Sequence, residues 1–580
     1  MDYSIRIGGE AGQGIQTVGD TLAHVFAKSG YHVFTHQDYE SRIRGGHNFF
    51  QVRVSDEQIT SSRDMIDIVV ALDKESIVQH EKELTENGII IYDSAALKQK
   101  YEKDHFLDIP FVALAEEHGK SKIMANTVAV GAVLGMLGME LDVLFEMLKI
   151  TFSKKGDEII NSNIKAAQAG REFAVKNCQR CSFSIVKRGS LPFMLIAGNE
   201  AIGLGAIASG LKFYSAYPMT PSTGIMNYIA DKEEEYGIII EQAEDEIAAI
   251  NMALGASFAG VRAMTGTSGG GFALMVEGLS LAGITETPIV IALAQRPGPA
   301  TGLPTRTEQG DLLFALYTAH GEFPRVVLAP GTPEQAFYLT NKAFGIAEKY
   351  QIPVIILTDQ YLADTQWTFD KFDLSKIHYS DQRLRGDGLK NLTEYKRHAF
   401  TENGVTSLAV PGDSSFLVVT DSDEHNEEGH IIEDSETRKR MLDKRLFKKL
   451  PHVREEIAPP IFYGDSDPEI VLVGWGSTYG VVKEAVDVLL QNTPDPHNKV
   501  AVLHFTEIYP FPENEKFDYL GILNKAKHSI CIENNATGQF ARLVRAETGY
   551  TFKHMITKYD GRPFTLDGLL GELNAYFTGL

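Results

Sequence analysis

Four segments between residues 217 and 310 carry side chains able to orient and protonate a small anionic ligand. The first, Tyr217-Pro218-Met219-Thr220-Pro221-Ser222-Thr223, follows a strand-like run from Lys212 to Ala216. Two prolines stiffen it. Its hydroxyls either cap the next helix or face a ligand at the carboxyl edge of a sheet. The second, Glu241-Gln242-Ala243-Glu244-Asp245-Glu246, opens a helix of small apolar residues, Ile247 to Gly260. The helix dipole accounts for Glu244 and Asp245. Glu246 is different, because Ile-Ala-Ala-Ile follows it directly and is bound for burial. A carboxyl in such a niche can share a proton with a ring nitrogen. The third, Thr265-Gly266-Thr267-Ser268-Gly269-Gly270-Gly271, permits close backbone approach by a ligand or neighbouring chain, or else is a tight turn. The fourth, Gln295 to Gly310, is stiffened by prolines and holds Arg296 and Arg306. Each arginine is a fork donor suited to a carboxylate, or a surface residue.

All four segments follow strands of one sheet, so they should meet on one edge. Periodicity supplies the frame around them. Residues 1–182 read as one α/β unit: Tyr3-Ser4-Ile5-Arg6-Ile7 alternates like a strand, a glycine loop follows, and Thr17 to Lys28 is helical. Tyr31 to Phe34, Ile66 to Ala71 and Gly88 to Tyr92 read as further strands of a mostly parallel sheet. A second unit spans 190–372, with buried-strand runs at 193–197, 237–240, 289–293 and 353–357. From 373 to 460 the chain is polar and reads as a long connection, with a Lys/Arg-rich helix to Lys449 and an edge strand at Ser415 to Thr420. The third unit, 461–580, has strands at 470–473, 500–505 and 529–533. The fold class is α/β, in three successive α/β units.

Composition excludes several functions. Of 580 residues, 43% are hydrophobic and 23% charged, which is ordinary for a folded protein. Lys+Arg 55 against Asp+Glu 77 leaves a net charge of −22, which would repel a phosphate backbone, so no nucleic-acid partner is expected. The longest uncharged apolar stretch, Thr127 to Met139, is 13 residues, short of the ~18 that span a bilayer. Met1-Asp2-Tyr3-Ser4 lacks the order of a secretory signal, and a cytoplasmic protein is expected. Three cysteines exclude a disulfide framework and cannot build a four-thiolate cluster.

The Tyr-Pro-x-Thr-Pro loop, the Glu-Asp-Glu-Ile-Ala-Ala helix start, the Gly-Thr-Ser-Gly-Gly-Gly turn and the run Thr-Gly-Leu-Pro-Thr-Arg-Thr-Glu-Gln, in this order, resemble the α subunit of the 2-oxoacid:ferredoxin oxidoreductases. The resemblance implies that the middle unit is the pyrimidine-type domain of a thiamine diphosphate enzyme and that the last is transketolase C-terminal-like. The amino-terminal unit, with Gly9-Glu10-Ala11-Gly12-Gln13-Gly14 and Ser41-Arg42-Ile43-Arg44-Gly45-Gly46-His47, resembles the γ subunit of the same complexes. The chain then reads as a γ–α fusion over nearly its whole length. Met219 stands where isoleucine is usual and Ala11 where glycine is usual; neither removes a functional group.

Carried over residue by residue, the resemblance makes Glu246 the catalytic group. Glu246 would bond N1′ of the cofactor's aminopyrimidine and promote the imino tautomer that deprotonates the thiazolium C2. Gly269 and Gly270 would lie against the cofactor. Thr220 and Arg306, with Tyr217 and Pro218, would hold the carboxylate and carbonyl of the 2-oxoacid. On the residues themselves and not the resemblance, Gly9, Gly12 and Gly14 at a helix start suit a diphosphate such as that of coenzyme A, though they are not a Gly-x-Gly-x-x-Gly pattern; with Arg42 and Arg44 they read as a coenzyme A or interface site. The implied reaction is reversible, coenzyme A-dependent oxidative decarboxylation of 2-oxoglutarate to succinyl-CoA and CO₂, with ferredoxin as electron acceptor. Pyruvate or a broad 2-oxoacid range is the alternative; a self-contained transketolase-like enzyme and a non-catalytic scaffold are the remaining readings.

What the chain lacks also bears on function. Gly386-Asp387-Gly388 has no apolar strand before it, and Asn534-Asn535 lies far downstream, so both read as decoys of a diphosphate–Mg²⁺ motif. The resemblance implies that a β subunit supplies the Mg²⁺ site and a [4Fe–4S] cluster, within an (αβ)₂ assembly. No metal site of the chain's own is expected. Cys178-x-x-Cys181 is half of a metal or redox site, or structural. His425 and His430, amid acids, read as solvated or interfacial.

Overall fold

The computed structural model describes residues 1–41, 45–185, 192–390, 392–492 and 499–579. The chain divides into two compact units. The first comprises Met1–Ile196, Thr365–Lys371 and Thr565–Leu580; the second comprises Ala197–Asp364 and Phe372–Phe564. Arg42 and Arg44 lie outside the described residues.

The first unit holds an eight-stranded sheet in the order Phe106–Asp108, Leu84–Tyr92, Ile66–Ala71, Asp2–Ala11, Gly45–Ser55, His32–Asp38, Gln366–Phe369, Met194–Ala197. It is mixed rather than mostly parallel. Asp2–Ala11 runs parallel to Ile66–Ala71 and antiparallel to Gly45–Ser55, which is antiparallel to His32–Asp38. Gly45–Ser55 escapes a search for apolar runs because His47, Gln51 and Arg53 interrupt it. Gln51 and Arg53 find partners inside the unit: Arg6 donates to Gln51 Oε1 at 2.6 Å and Arg53 to Asp2 at 2.9 and 2.6 Å.

Two later stretches, which fall within the expected units 190–372 and 461–580, join this unit. Trp367 packs 5.0 Å from Phe34, centroid to centroid, and the Thr368 hydroxyl accepts from Val33 N at 2.7 Å. The backbone of Leu566 donates to Ser62 O at 2.9 Å. Strand pairing and burial, not proximity along the chain, decide which unit a segment joins. Cys178 and Cys181 form a disulfide at the end of the helix Asp157–Asn177.

The second unit contains the other two α/β sheets. Its seven-stranded sheet runs Glu507–Tyr509, Val326–Leu328, Pro353–Asp359, Ile289–Gln295, Arg262–Thr267, Leu211–Ala216, Ile239–Gln242. All pairs are parallel except Glu507–Tyr509 against Val326–Leu328. Its five-stranded sheet runs Ile461–Gly464, Val500–Phe505, Ile470–Trp475, His528–Glu533, His554–Thr557. The near-continuous Val/Ile/Leu strands at 289–295 and 353–359 are fully buried, as parallel strands covered on both faces require.

The polar segment from 373 to 460 is fastened to this unit. Arg262 and Arg383 share Glu348, each at 2.7 Å. Glu286, buried, accepts from Lys444 at 2.5 Å and from Lys449, with His398 Nδ1 at 3.2 Å. The lysines reach one carboxylate because Asp443–Lys449 is π-helical, which stacks side chains five apart. The strand expected at Ser415 to Thr420 does not form; the segment's paired strands are Arg383–Leu384 and Leu408–Ala409. His425 is fully buried, its ring 4.0 Å from that of His398, so the expectation of a solvated side chain fails there, whereas His430 is exposed. Among the described residues no helix is long and apolar enough to cross a membrane.

Candidate functional site

Adjacent parallel strands bring Ala216, Gln242, Thr267 and Gln295 to one edge of the seven-stranded sheet. The loops that leave this edge carry the residues picked out by their chemistry.

Asp245 caps the helix Glu246–Phe258, its carboxylate accepting from Ala248 N at 2.7 Å. The cap leaves Glu246 as the first helical residue, turned inward and 3% exposed. A Cβ placed on Gly271 would overlap Glu246 Oε1 and Thr267 Oγ1. The glycine therefore makes the space into which the carboxylate is folded. Among the described residues Oε1 has no hydrogen-bond partner, and neither do the buried hydroxyls of Ser268, Thr265 and Tyr214 nearby on the same strands and turn. A buried carboxylate oxygen left unpaired is costly unless a ligand completes it.

Gly269 and Gly270 differ from each other. A Cβ on Gly269 would overlap the Asp311 carboxyl, whereas Gly270 is exposed, its nearest neighbour being Ala300 O at 3.7 Å. Asp311 therefore joins the site, although nothing in its own sequence neighbourhood singles it out. Burial and the charge of Glu308 push its carboxyl up to about 6, with Arg296 opposing. Burial likewise raises Glu308.

The Tyr217–Ser222 loop is fixed from below. Arg296 Nη1 donates to the carbonyl of Thr220 at 2.7 Å, so this arginine organises the loop. The Ser222 hydroxyl donates to Met219 O at 2.8 Å and does not cap the helix that follows. Tyr217 is 40% exposed, while Pro218 and Thr220 are half-buried. Arg306, also half-buried, lies beside Gly561, with its Cβ 3.3 Å from where a Cβ there would stand.

The two motifs read as decoys have local partners. Asp387 is exposed and pairs with Lys390 at 2.6 Å. Asn535 caps a turn, accepting from Gly538 N at 2.8 Å and donating to Glu533 at 2.8 Å. In the first unit, Gly12 and Gly14 adopt φ of +94° and +86° ahead of the helix Ile15–Lys28. A side chain on Gly14 would overlap Asn126, and one on Gly9 would press on Gln13 and Leu72; Gly12 faces open space. His47 pairs with His80 through their Nε2 atoms at 2.9 Å, and His80 Nδ1 lies 2.6 Å from Glu83 Oε2. Burial pushes both imidazoles down.

Sheet, edge and buried acid together define an α/β protein of the thiamine diphosphate-binding class, and the comparisons agree. The family described as pyruvate flavodoxin/ferredoxin oxidoreductase, thiamine diphosphate-binding, matches residues 204–444. Pyruvate ferredoxin/flavodoxin oxidoreductase matches residues 4–173. The 2-oxoacid:ferredoxin oxidoreductase subunit alpha of a Sulfolobus species is 34% identical over 98% of this chain and 96% of its own length. The 2-oxoglutarate oxidoreductase subunit KorA of Mycobacterium tuberculosis is 29% identical over 99% of this chain and 91% of its own. The 2-oxoglutarate:ferredoxin oxidoreductase structure from Magnetococcus marinus, with 2-oxoglutarate, coenzyme A and succinyl-CoA bound, superposes with a TM-score of 0.90 at 33% identity, covering 99% of both chains. This chain belongs to the 2-oxoacid:ferredoxin oxidoreductase α subunits.

Proposed function

We propose that the chain is the γ-fused α subunit of a 2-oxoglutarate:ferredoxin oxidoreductase, working in the cytoplasm with a β subunit. Its substrate loses CO₂, its acyl group passes to coenzyme A as succinyl-CoA, and two electrons leave singly for ferredoxin. The carrying observation is the unpaired, buried Oε1 of Glu246 against the glycine turn. An aminopyrimidine nitrogen is a partner that would satisfy it, so the residues fit thiamine diphosphate. The cofactor, when bound, supplies the nucleophilic carbon and the electron sink. Glu246 holds the proton on the ring nitrogen. Thr220 and Arg306, with Tyr217 and Pro218, orient the 2-oxoacid, and Gly270 leaves its backbone open to the cofactor.

The rest of the cofactor site belongs to the β subunit, which contributes the Mg²⁺ site and the [4Fe–4S] cluster in an (αβ)₂ assembly. Support comes from the exposed apolar side chains Tyr217, Ile247, Leu274 and Leu303 on the loops and helices that carry Thr220, Glu246, Gly270 and Arg306. The turn from Gly9 to Gly14, at the start of a helix, is assigned to coenzyme A or an interface, supported by the open space at Gly12. The preference for 2-oxoglutarate rests on likeness to the Magnetococcus enzyme; the relatives named only for 2-oxoacids keep pyruvate or a broad range as the second reading.

The test is ferredoxin reduction by the purified αβ complex with 2-oxoglutarate, pyruvate and longer 2-oxoacids, alongside the α chain alone. Faster turnover of 2-oxoglutarate by the complex is expected. Preference for pyruvate would overturn the substrate assignment, and turnover by the α chain alone would overturn the shared site.

A further inference from the structure

We propose that Gln309 positions Arg306, by clamping the loop that carries it to the carboxyl edge of the five-stranded sheet. This rests on the reading of Arg306 as a 2-oxoacid-binding residue. Gln309 is fully buried, and three hydrogen bonds tie it to backbone. Its N–H donates to Asn534 O at 2.7 Å, its Nε2 donates to Trp475 O at 2.8 Å, and its Oε1 accepts from Asn534 N at 2.9 Å. Trp475 ends the strand Ile470–Trp475, and Asn534 immediately follows the neighbouring strand His528–Glu533. The clamp therefore grips two adjacent strand ends of one sheet.

Two residues earlier Thr307 is buried as well. Its hydroxyl accepts from Tyr361 N at 3.2 Å, and its N–H donates to Gly561 O at 3.3 Å. Thr305, Thr307 and Gln309 are buried, whereas Arg306 and Glu308 between them are half-buried. The stem of Arg306 rests beside Gly561, whose φ of +77° and close neighbours disfavour a side chain. Gln309 is thus a positioning residue: it fixes where the guanidinium starts from. Displacement of a binding group by about 1 Å can cost as much as about a hundredfold in rate. The clamp needs one donor and one acceptor on the same terminal group. Glutamine supplies both, glutamate only when protonated, and leucine neither.

The test compares αβ complexes carrying Gln309→Leu and Gln309→Glu with wild type. In Gln309→Leu, KM for 2-oxoglutarate should rise about tenfold or more, as misplacement of a binding group predicts, while KM for coenzyme A and the affinity for thiamine diphosphate stay unchanged. In Gln309→Glu, the ratio of KM to the wild-type value should climb with pH as the carboxyl ionises against the Trp475 carbonyl. Parallel loss for every ligand, or a ratio indifferent to pH, would show a merely structural role and overturn the proposal. Amide exchange over 303–309 in the isolated α chain needs no activity and should quicken in Gln309→Leu; unchanged exchange would overturn the clamp. A loosened loop beside a wild-type complex inactive on every 2-oxoacid would instead refute the reading of Arg306, and its positioning with it, while sparing the clamp.

Discussion

Glu246 Oε1 occupies the space that a side chain on Gly271 would need. The acid and the third glycine of the turn, well separated in sequence, are two halves of one feature. Among the described residues Oε1 stays unpaired: the glycine makes room for it, and no donor faces it there. In the proposed function, a ligand supplies the missing bond.

Glu246→Gln keeps the shape and removes the acid. Turnover of the αβ complex should fall by about a hundredfold or more, the usual scale for a lost proton-transfer group, with the melting temperature nearly unchanged. Gly271→Ala should also lower turnover, by pushing the carboxylate out of its recess, although alanine is the better helix former. Full activity in Gly271→Ala would mean that Glu246 works from another position.

Arg296 reaches the carbonyl of Thr220 from the neighbouring loop. A charged donor on a backbone carbonyl contributes about 1.5–3 kcal/mol when well sheltered, and here it is only partly so. Arg296→Met should leave the fold intact and loosen the Tyr217–Ser222 loop, raising KM for the 2-oxoacid more than it lowers kcat. Arg296→Lys should recover part of the loss. Steady-state kinetics on the three complexes decides.

Asp311 gives a pH dependence with an unusual sign for a carboxylate. Its folded pKa, about 6, lies above the 3.8 of the exposed group. Between those values the folded state binds more protons than the unfolded one, so stability falls as pH rises through the window. The penalty is complete above pH 6 and amounts to at most about 3 kcal/mol. Asp311→Asn should therefore melt higher than wild type at pH 7–8 and indistinguishably from it at pH 4. Calorimetry across that range checks it.

Much of the frame around the site can be read without coordinates. Val/Ile/Leu runs announce the central strands, and a hydroxyl, an acid and an arginine after successive strands imply a shared edge. Polar strands cannot be read this way: Gly45–Ser55 looks like a loop because Gln51 and Arg53 find their partners in Arg6 and Asp2 only after folding. The same holds for the supports of the site. Gln309 contacts Asn534 and Arg296 contacts Thr220 across long stretches of chain, and Asp311 owes its raised pKa to a burial that no local pattern announces.

Glu286 should be the weakest point at which to break the polar segment from the sheet it covers. It holds two buried lysines, and burial pushes Lys444 down to about 8 despite the attraction of the carboxylate. Glu286→Gln strands those charges, at a cost of about 3–5 kcal/mol. Combining it with Lys449→Met should restore part of the loss. Denaturant midpoints, with limited proteolysis of residues 373–456, separate local undocking from global unfolding.

His504 should set part of the acid sensitivity of the fold. It lies fully buried in the strand Val500–Phe505, 4.8 Å from the ring of Tyr479 and against Gly331. Burial pushes its pKa down to about 3, from 6.5 when exposed, with only the backbone of Gly476 opposing. Between those values the unfolded chain takes up a proton that the folded chain refuses, so stability drains away as pH falls from 6.5 towards 3. At pH 4 the loss from this one ring should be about 3 kcal/mol. His504→Leu keeps a side chain in the space and abolishes the titration. The difference in urea midpoint between variant and wild type should move in the variant's favour steadily from pH 7 to pH 4. A difference that stays constant over that range would show that His504 is protonated in the folded protein, or reaches solvent, before the fold gives way.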